Sequence, residues 1–315
     1  MGYLGNRLLH IVPVMLAVTV ITFGFIYLLP GDVTYSILGD QATPDLVAEL
    51  QEELGLKAHP VLRYFRWMGG VLQGDFGRSF ITQEKVTDAI VSRLPVTLEL
   101  MVLTQLLALL LSVPLAVYSA YRAGGVLDRA TTGVTFGLLS VPNFLMAIIL
   151  IFTFAVYFNI LPASGFTPLS EGLWANLRSL ALPALTLGLI EFCALSRVLR
   201  ADMIATLQEE YILTAKAKGL PIRRILFVHA LKPSSFTVIT LFAINVGSLI
   251  SGSLVVETVF ALPGIGRLLV NAIYTRDFIM VQGVVLFASI IFVMVNLAAD
   301  LFYAALDPRI HHERA

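Results

Sequence analysis

Charge is what this sequence has least of. Lys, Arg, Asp and Glu make up 13% of its 315 residues, about half the share of a typical soluble domain. The 21 basic and 21 acidic residues cancel to a net charge of zero, so there is no basic footprint for nucleic acid. The one cysteine, Cys193, excludes a disulfide framework and a multi-cysteine metal site. The five histidines, His10, His59, His229, His311 and His312, are scattered except for the last two. No H-E-x-x-H, no Walker A glycine loop and no G-x-S-x-G elbow occurs. Nothing assembles into a catalytic constellation, so neither an enzyme nor a metal site is expected. Internal repeats of short period and low-complexity runs are also missing.

Apolar residues are present in excess: 57% of the chain is hydrophobic and the mean hydropathy is +0.86. A bilayer-spanning helix needs roughly 20 mostly apolar residues. Six stretches qualify, at about 8–29, 97–120, 132–158, 181–200, 236–257 and 280–305, and predict an all-α polytopic membrane protein. The first stretch follows Arg7 and ends at Leu29-Pro30-Gly31-Asp32. Its apolar core is too long for a cleaved signal peptide, so a retained helix is expected. With the N-terminus inside, the inner parts hold 12 Lys and Arg and the outer parts nine, six of them in one long segment. Charge in the short loops sets orientation, which predicts cytoplasmic N- and C-termini and a cytoplasmic 201–235 loop. The chain then divides into a first transmembrane helix (1–30), an outer segment (31–93), a five-helix core (94–309) containing the 201–235 loop, and a tail (310–315).

In the outer segment, Thr43-Pro44-Asp45 reads as a helix start, with Thr as N-cap and Pro at the first helical position. Leu46, Val47, Leu50 and Leu54 share one face, and Gly55 is expected to end the helix. A second amphipathic run follows His59-Pro60, carries Tyr64 and Trp67, and stops at Gly74-Asp75-Phe76-Gly77. These helices read as an interfacial cap with Tyr64 and Trp67 as belt residues, or as a platform for an extracytoplasmic partner. Leu94-Pro95-Val96-Thr97-Leu98-Glu99 opens the second span, with Glu99 in its first turn near the positive helix end. Pro114 and Pro142 predict kinks within the second and third spans, which serve packing or gating.

Glu191 lies near the middle of the fourth span. An ionisable group at that depth is expected to face a bundle interior or an aqueous cavity, with Asn245 or Asn296 as partner. Arg197 and Arg200 mark the inner membrane edge. The fifth span carries Asn245, Gly247, Ser248, Ser251, Gly252 and Ser253. Small residues four apart allow close helix packing or leave room for a pathway. Glu191, Asn245, Ser248, Ser251 and Gly252 are therefore the candidate path residues. Asn296 and Asp300 lie four apart on the sixth span.

The most polar interval of the second half is Glu209 to Lys232. It reads as a short amphipathic helix, a break at Gly219 and a second helix returning to the membrane. Ile212, Ala215 and Leu220 alternate with Glu209, Glu210, Lys216, Lys218, Arg223 and Arg224. The interval is either a solvated basic loop or a surface built to be gripped by another protein.

The run Glu209-Glu210-Tyr211-Ile212-Leu213-Thr214-Ala215-Lys216-Ala217-Lys218-Gly219-Leu220, followed by His229-Ala230-Leu231, resembles the EAA loop of binding-protein-dependent ABC importer permeases. Its form is similar to the dipeptide/oligopeptide/nickel branch. Glu53-Leu54-Gly55-Leu56, Gly74-Asp75-Phe76-Gly77-Arg78-Ser79, the Leu94–Leu100 run, Val256-Glu257-Thr258-Val259-Phe260-Ala261-Leu262-Pro263-Gly264-Ile265-Gly266-Arg267 and Leu306-Asp307-Pro308-Arg309 resemble other motifs of that family, in order along nearly the whole chain. Departures are few. Leu213-Thr214-Ala215 stands for Glu-Ala-Ala, and Pro233-Ser234 stands for Asn-Ala at the start of the return helix.

The resemblance implies a type I ABC importer permease fold with six transmembrane helices, in a bacterial or archaeal cytoplasmic membrane. It implies a coupling helix docked on a separate ATPase through Glu209, Glu210, Tyr211, Thr214, Ala215, Lys216, Ala217 and Gly219. The chain itself would bind no cofactor, since ATP and Mg belong to two partner ATPase subunits. A second homologous permease, as a heterodimer, and an extracytoplasmic binding protein complete the implied complex. The expected solute is a di- or oligopeptide, with a nickel chelate or glutathione as alternatives. An ion-coupled secondary transporter using Glu191 and Asp300 is the rival class, though no inverted repeat supports it.

Overall fold

The computed structural model describes residues 3–28, 34, 43–53, 58–79 and 81–306. Within helices, the side chains of residues 3–10, 25–28, 49–50, 52–53, 248, 250–251, 299–300 and 302–306 lie outside that description. The sequence motifs at 29–32, 54–56 and 307–309, the tail 310–315, and the side chains of Ser248, Ser251 and Asp300 are therefore outside the described residues. The described chain is helical, with no strand; Arg78 and Lys85 form one isolated bridge. It falls into two compact units, one within Met1–Thr97 and Pro263–Leu297, the other within Leu98–Leu262 and Ala298–Ala315.

The first unit contains α1 (Tyr3–Leu28), α2 (Pro44–Glu53), α3 (Pro60–Leu72), the start of α4 (Val86–Tyr121), α10 (Ile265–Tyr274) and most of α11 (Phe278–Leu306). Helix α2 starts as its sequence predicts: Thr43 Oγ1 accepts the Leu46 amide at 3.4 Å, and Asp45 sits in the first turn. His59 caps α3 by accepting the Val61 amide on Nδ1 at 3.3 Å. Tyr64 and Trp67 do not stand out as a free belt. Both are half-buried against α1, where Phe23 lies 5.5 and 5.7 Å from their ring centres. The Tyr64 and Thr19 hydroxyls share a hydrogen bond of 2.8 Å. The Gly74–Ser79 motif builds a turn. Its Ser79 hydroxyl donates to Asp277 and accepts the Thr82 amide, and Asp277 in turn accepts the Met280 amide at the start of α11. Val86, Ala89 and Ile90 pack with Ile265, Leu268, Ala272, Met280 and Val284.

The second unit holds the rest of α4, then α5 (Val126–Leu139), α6 (Asn143–Leu150, continuing as a π-helix to Tyr157), α7 (Leu173–Thr206), α8 (Glu210–Ala217) and α9 (Leu231–Val259). Between α8 and α9 lie a helical turn at Ile222–Arg224 and a π-helical segment at Ile225–Ala230. Helices α4 and α7 approach closely at Gly188, where a Cβ would stand 3.3 Å from the Thr104 carbonyl oxygen. The 34 residues of α7 extend about 51 Å at 1.5 Å per residue, beyond the roughly 30 Å of a hydrocarbon core. The C-terminal end of α7 leads within a few residues into α8.

Three expectations are corrected. Helix α4 begins at Val86 rather than near residue 94, because Val86, Ala89 and Ile90 are already core residues of the first unit. Glu99 is consequently deep in a helix instead of in its first turn, and its carboxylate accepts the Asn176 side-chain amide at 2.9 Å. Pro114 leaves α4 unbroken, whereas the chain at Pro142 breaks outright: α5 and the helix that follows meet at a 107° bend. Among the described residues, four helices are long and apolar enough to cross a membrane, or five if that bent pair is one span. Helix α1 is 26 residues long, with Ile11–Gly24 as its described apolar stretch.

Candidate functional site

Two places in the second unit hold the site residues expected from the sequence: the α8 loop and a cavity around Glu191. Helix α8 is brief, and local bonds fix both its ends. The Glu209 carbonyl accepts the Ile212 and Leu213 amides. At the other end, the Leu220 amide reaches the Ala215 carbonyl and the Gly219 amide reaches the Lys216 carbonyl. This is the paired bonding of a Schellman motif, and it puts Gly219 at φ +72°, where a side chain is disfavoured.

The two faces of α8 differ. Ile212 and Ala215 are buried in a cluster with Leu199, Met203, Ile225, Leu226 and Ala230 of the same chain. Ala215, expected to meet a partner, instead faces inward. Glu209, Glu210, Tyr211, Thr214, Lys216, Ala217 and Gly219 are exposed. Leu213, absent from the expected docking set, is 55% exposed. The outward face thus runs Glu210, Leu213, Thr214 and Ala217, at i, i+3, i+4 and i+7. A count of helical spacing from the buried Ile212–Ala215 pair was the signal that could have found it.

The return segment absorbs Pro233. Proline has no amide to donate to the carbonyl four residues back, which is that of His229, and π-helical turns form where such a ladder is interrupted. The Tyr211 hydroxyl donates to the His229 carbonyl at 3.4 Å, tying α8 to the return segment. Partial desolvation, and secondarily the nearby Glu209 charge, raise the Tyr211 phenol above its ordinary pKa. Ser234 shares a 2.9 Å hydrogen bond with Thr206 at the end of α7 and donates to the Ala230 carbonyl. The two departures from the family pattern therefore sit in a well-bonded corner.

Arg200 does more than mark an edge. Its guanidinium grips the Asp128 carboxylate through Nε and Nη2. Asp128 also accepts the Ser119 hydroxyl and the Gly124 amide, each at 2.7 Å. Arg197 stacks over the Phe136 ring at 5.2 Å. Sequence reading named neither partner, because Asp128 and Arg200 are 72 residues apart.

Glu191, Asn245 and Gly252, three of the five candidate path residues, line one cavity of about 200 Å3. Asn143, brought there by the break at Pro142, lines it too. Glu191 is 8% exposed, and its Oε2 has no hydrogen-bond partner among the described residues. No group of three or more His, Cys, Asp or Glu suited to a metal ion occurs among the described residues.

Comparison with known proteins agrees with this architecture. The family described as binding-protein-dependent transport system inner membrane component matches residues 112–312, and the family of the corresponding N-terminal membrane segment matches residues 1–101. A putative peptide transport system permease protein of Brucella suis is 37% identical over 308 residues, covering 98% of each chain. A probable peptide ABC transporter permease protein of Sinorhizobium fredii is 38% identical over 312 residues, 98% of this chain and 99% of the relative. The dipeptide transport system permease protein DppB of Escherichia coli K12 is 32% identical over 336 residues, covering 99% of both.

Proposed function

The chain belongs to the binding-protein-dependent transport system inner-membrane components, the permease subunits of bacterial ABC transporters, and from that premise we propose that α8 is the helix through which an ATPase drives it. The observation that carries the reading is the division of α8 into two faces. Ile212 and Ala215 anchor the helix to its own chain, and the Schellman end closes it with two hydrogen bonds. Glu210, Leu213, Thr214 and Ala217 are left for a groove on the partner. An exposed leucine among charges is the composition of a helix-in-groove anchor. Closure of an ATPase dimer would displace α8, and the buried anchor would pass the motion to α7 and α9 as a rigid-body movement.

The complex we propose contains this chain, a second homologous permease, two ATP-binding subunits that use ATP and Mg, and an extracytoplasmic binding protein. The transported solute is a di- or oligopeptide, a reading supported by the peptide transport names of the relatives. We further propose six spans, α1 being the first, with both termini and the α8 loop cytoplasmic. The organisation is then a first helix at 1–30, an outer segment at 31–93, a core at 94–309 and a tail at 310–315. The cavity at Glu191, Asn245 and Gly252 lies on the solute path in this reading.

Leu213→Asp tests the docking face. It is expected to leave the level of the chain in the membrane and its thermal midpoint unchanged, while abolishing retention of the ATPase subunits on purification and ATP-driven uptake in vesicles. Uptake equal to wild type sinks the assignment of this face.

A further inference from the structure

We propose that the cavity around Glu191 binds a primary ammonium group of the transported solute, the α-ammonium of a peptide; this rests on the importer reading above. Four helices converge there: α5 ends at the cavity, α6 begins at it, and α7 and α9 cross it. Two independent observations point to a ligand. One is the cavity itself. The other is a carboxylate that is more than nine-tenths buried, lines that cavity, and has an oxygen with no partner among the described residues.

The donor set selects the ligand. Asn143 and Asn245 line the cavity beside the one carboxylate, and the Asn143 carboxamide adds an acceptor oxygen to it. An ammonium presents three N–H donors and carries the charge that an otherwise unpaired carboxylate lacks. Leu187, Ile190 and Leu249 supply apolar wall for the adjoining carbon atoms. A divalent metal held tightly by protein side chains alone takes several His, Cys or carboxylate ligands, and no group of three or more of these occurs among the described residues. The volume of about 200 Å3 is below the roughly 300–1,000 Å3 of sites that enclose a whole small ligand. The cavity therefore holds the charged head of a solute and leaves the remainder outside.

The site can be tested separately from transport. Full-length chain in detergent is titrated with n-butylammonium chloride, and carboxyl bands are followed by difference infrared spectroscopy. A carboxyl change that appears with n-butylammonium, is missing with n-butanol and is missing in Glu191→Gln is the expected result. Identical spectra for wild type and Glu191→Gln overturn the site. In proteoliposomes containing the whole complex, ATP-driven uptake of alanyl-alanine is expected to fall about tenfold or more in Glu191→Gln, the loss that follows when a charged hydrogen bond is removed. Uptake equal to wild type overturns the site as a solute contact. A wild-type complex that takes up no alanyl-alanine, yet keeps the Glu191-dependent infrared change, breaks the peptide reading and leaves the ammonium site standing.

Discussion

Asp128 and Glu191 are carboxylates of one compact unit, 4% and 8% exposed, and they are treated in opposite ways. Asp128 meets Arg200 twice, the Ser119 hydroxyl and the Gly124 amide. Its charge is paid for where it stands. Glu191 has an oxygen with no protein partner among the described residues, facing a cavity between helices. A buried carboxylate without partners destabilises a fold, which is the physical ground for the ligand contact proposed at Glu191. The first residue joins elements of the chain; the second lines a cavity with an oxygen that no described residue engages.

The largest expected effect breaks the first half of this contrast. Asp128→Ala leaves Arg200 with no carboxylate, and removal of one member of a buried pair costs about 3–5 kcal/mol. Because Arg200 is about one-third exposed, the lower end applies. The thermal midpoint in detergent should drop well below that of Glu191→Ala. Equal losses for the two variants would erase the distinction.

Next comes the α8 anchor, which extends the same contrast to the two faces of one helix. Ile212 is completely buried, and Ile212→Ala should cost about 2 kcal/mol, the low end for truncating a buried isoleucine. The readout is protease cleavage within 208–220, which should accelerate in Ile212→Ala and stay unchanged in Leu213→Ala. Cleavage that responds equally to both would mean that α8 has no privileged inner face. Gly219→Ala is milder, about 1 kcal/mol, from forcing a side chain into the left-handed region. It should speed the same cleavage by less than Ile212→Ala does.

Much of this was legible locally. The α2 start is written in Thr43-Pro44-Asp45, and the α8 stop in Gly219, because both depend on bonds within a few residues. What escaped the sequence depends on distant partners. Pro95 looks like the first residue of a span, yet α4 begins nine residues earlier, where Val86 meets Val284 and Met280 in the first unit's core. Glu99 finds Asn176, 77 residues away. Pro114 and Pro142 carry the same local signal with different outcomes. The helix runs on through Pro114, while at Ser140-Val141-Pro142 it breaks and a new helix starts at Asn143. The cavity position of Glu191 was legible because an ionisable group within an apolar span is expected to face a bundle interior or a cavity, and Glu191 lines one. The neighbour that completes its cavity, Asn143, was hidden by the expectation of one continuous third span.

The smallest expected effect is the sharpest test of the second half of the contrast. Glu191→Gln preserves the shape of the side chain and removes only its capacity for charge. If Glu191 were a structural group like Asp128, replacing its carboxylate would strand a donor and lower the thermal midpoint. No such donor faces Oε2 among the described residues, so the change should stay within about 0.5 kcal/mol, the usual range for a substitution that breaks no named contact. The midpoint should therefore match wild type in detergent with no solute present. A clear drop would reveal a partner for Glu191 and make it a second Asp128. An unchanged midpoint, beside a loss of alanyl-alanine uptake, would separate what this carboxylate does for the solute from anything it does for the fold.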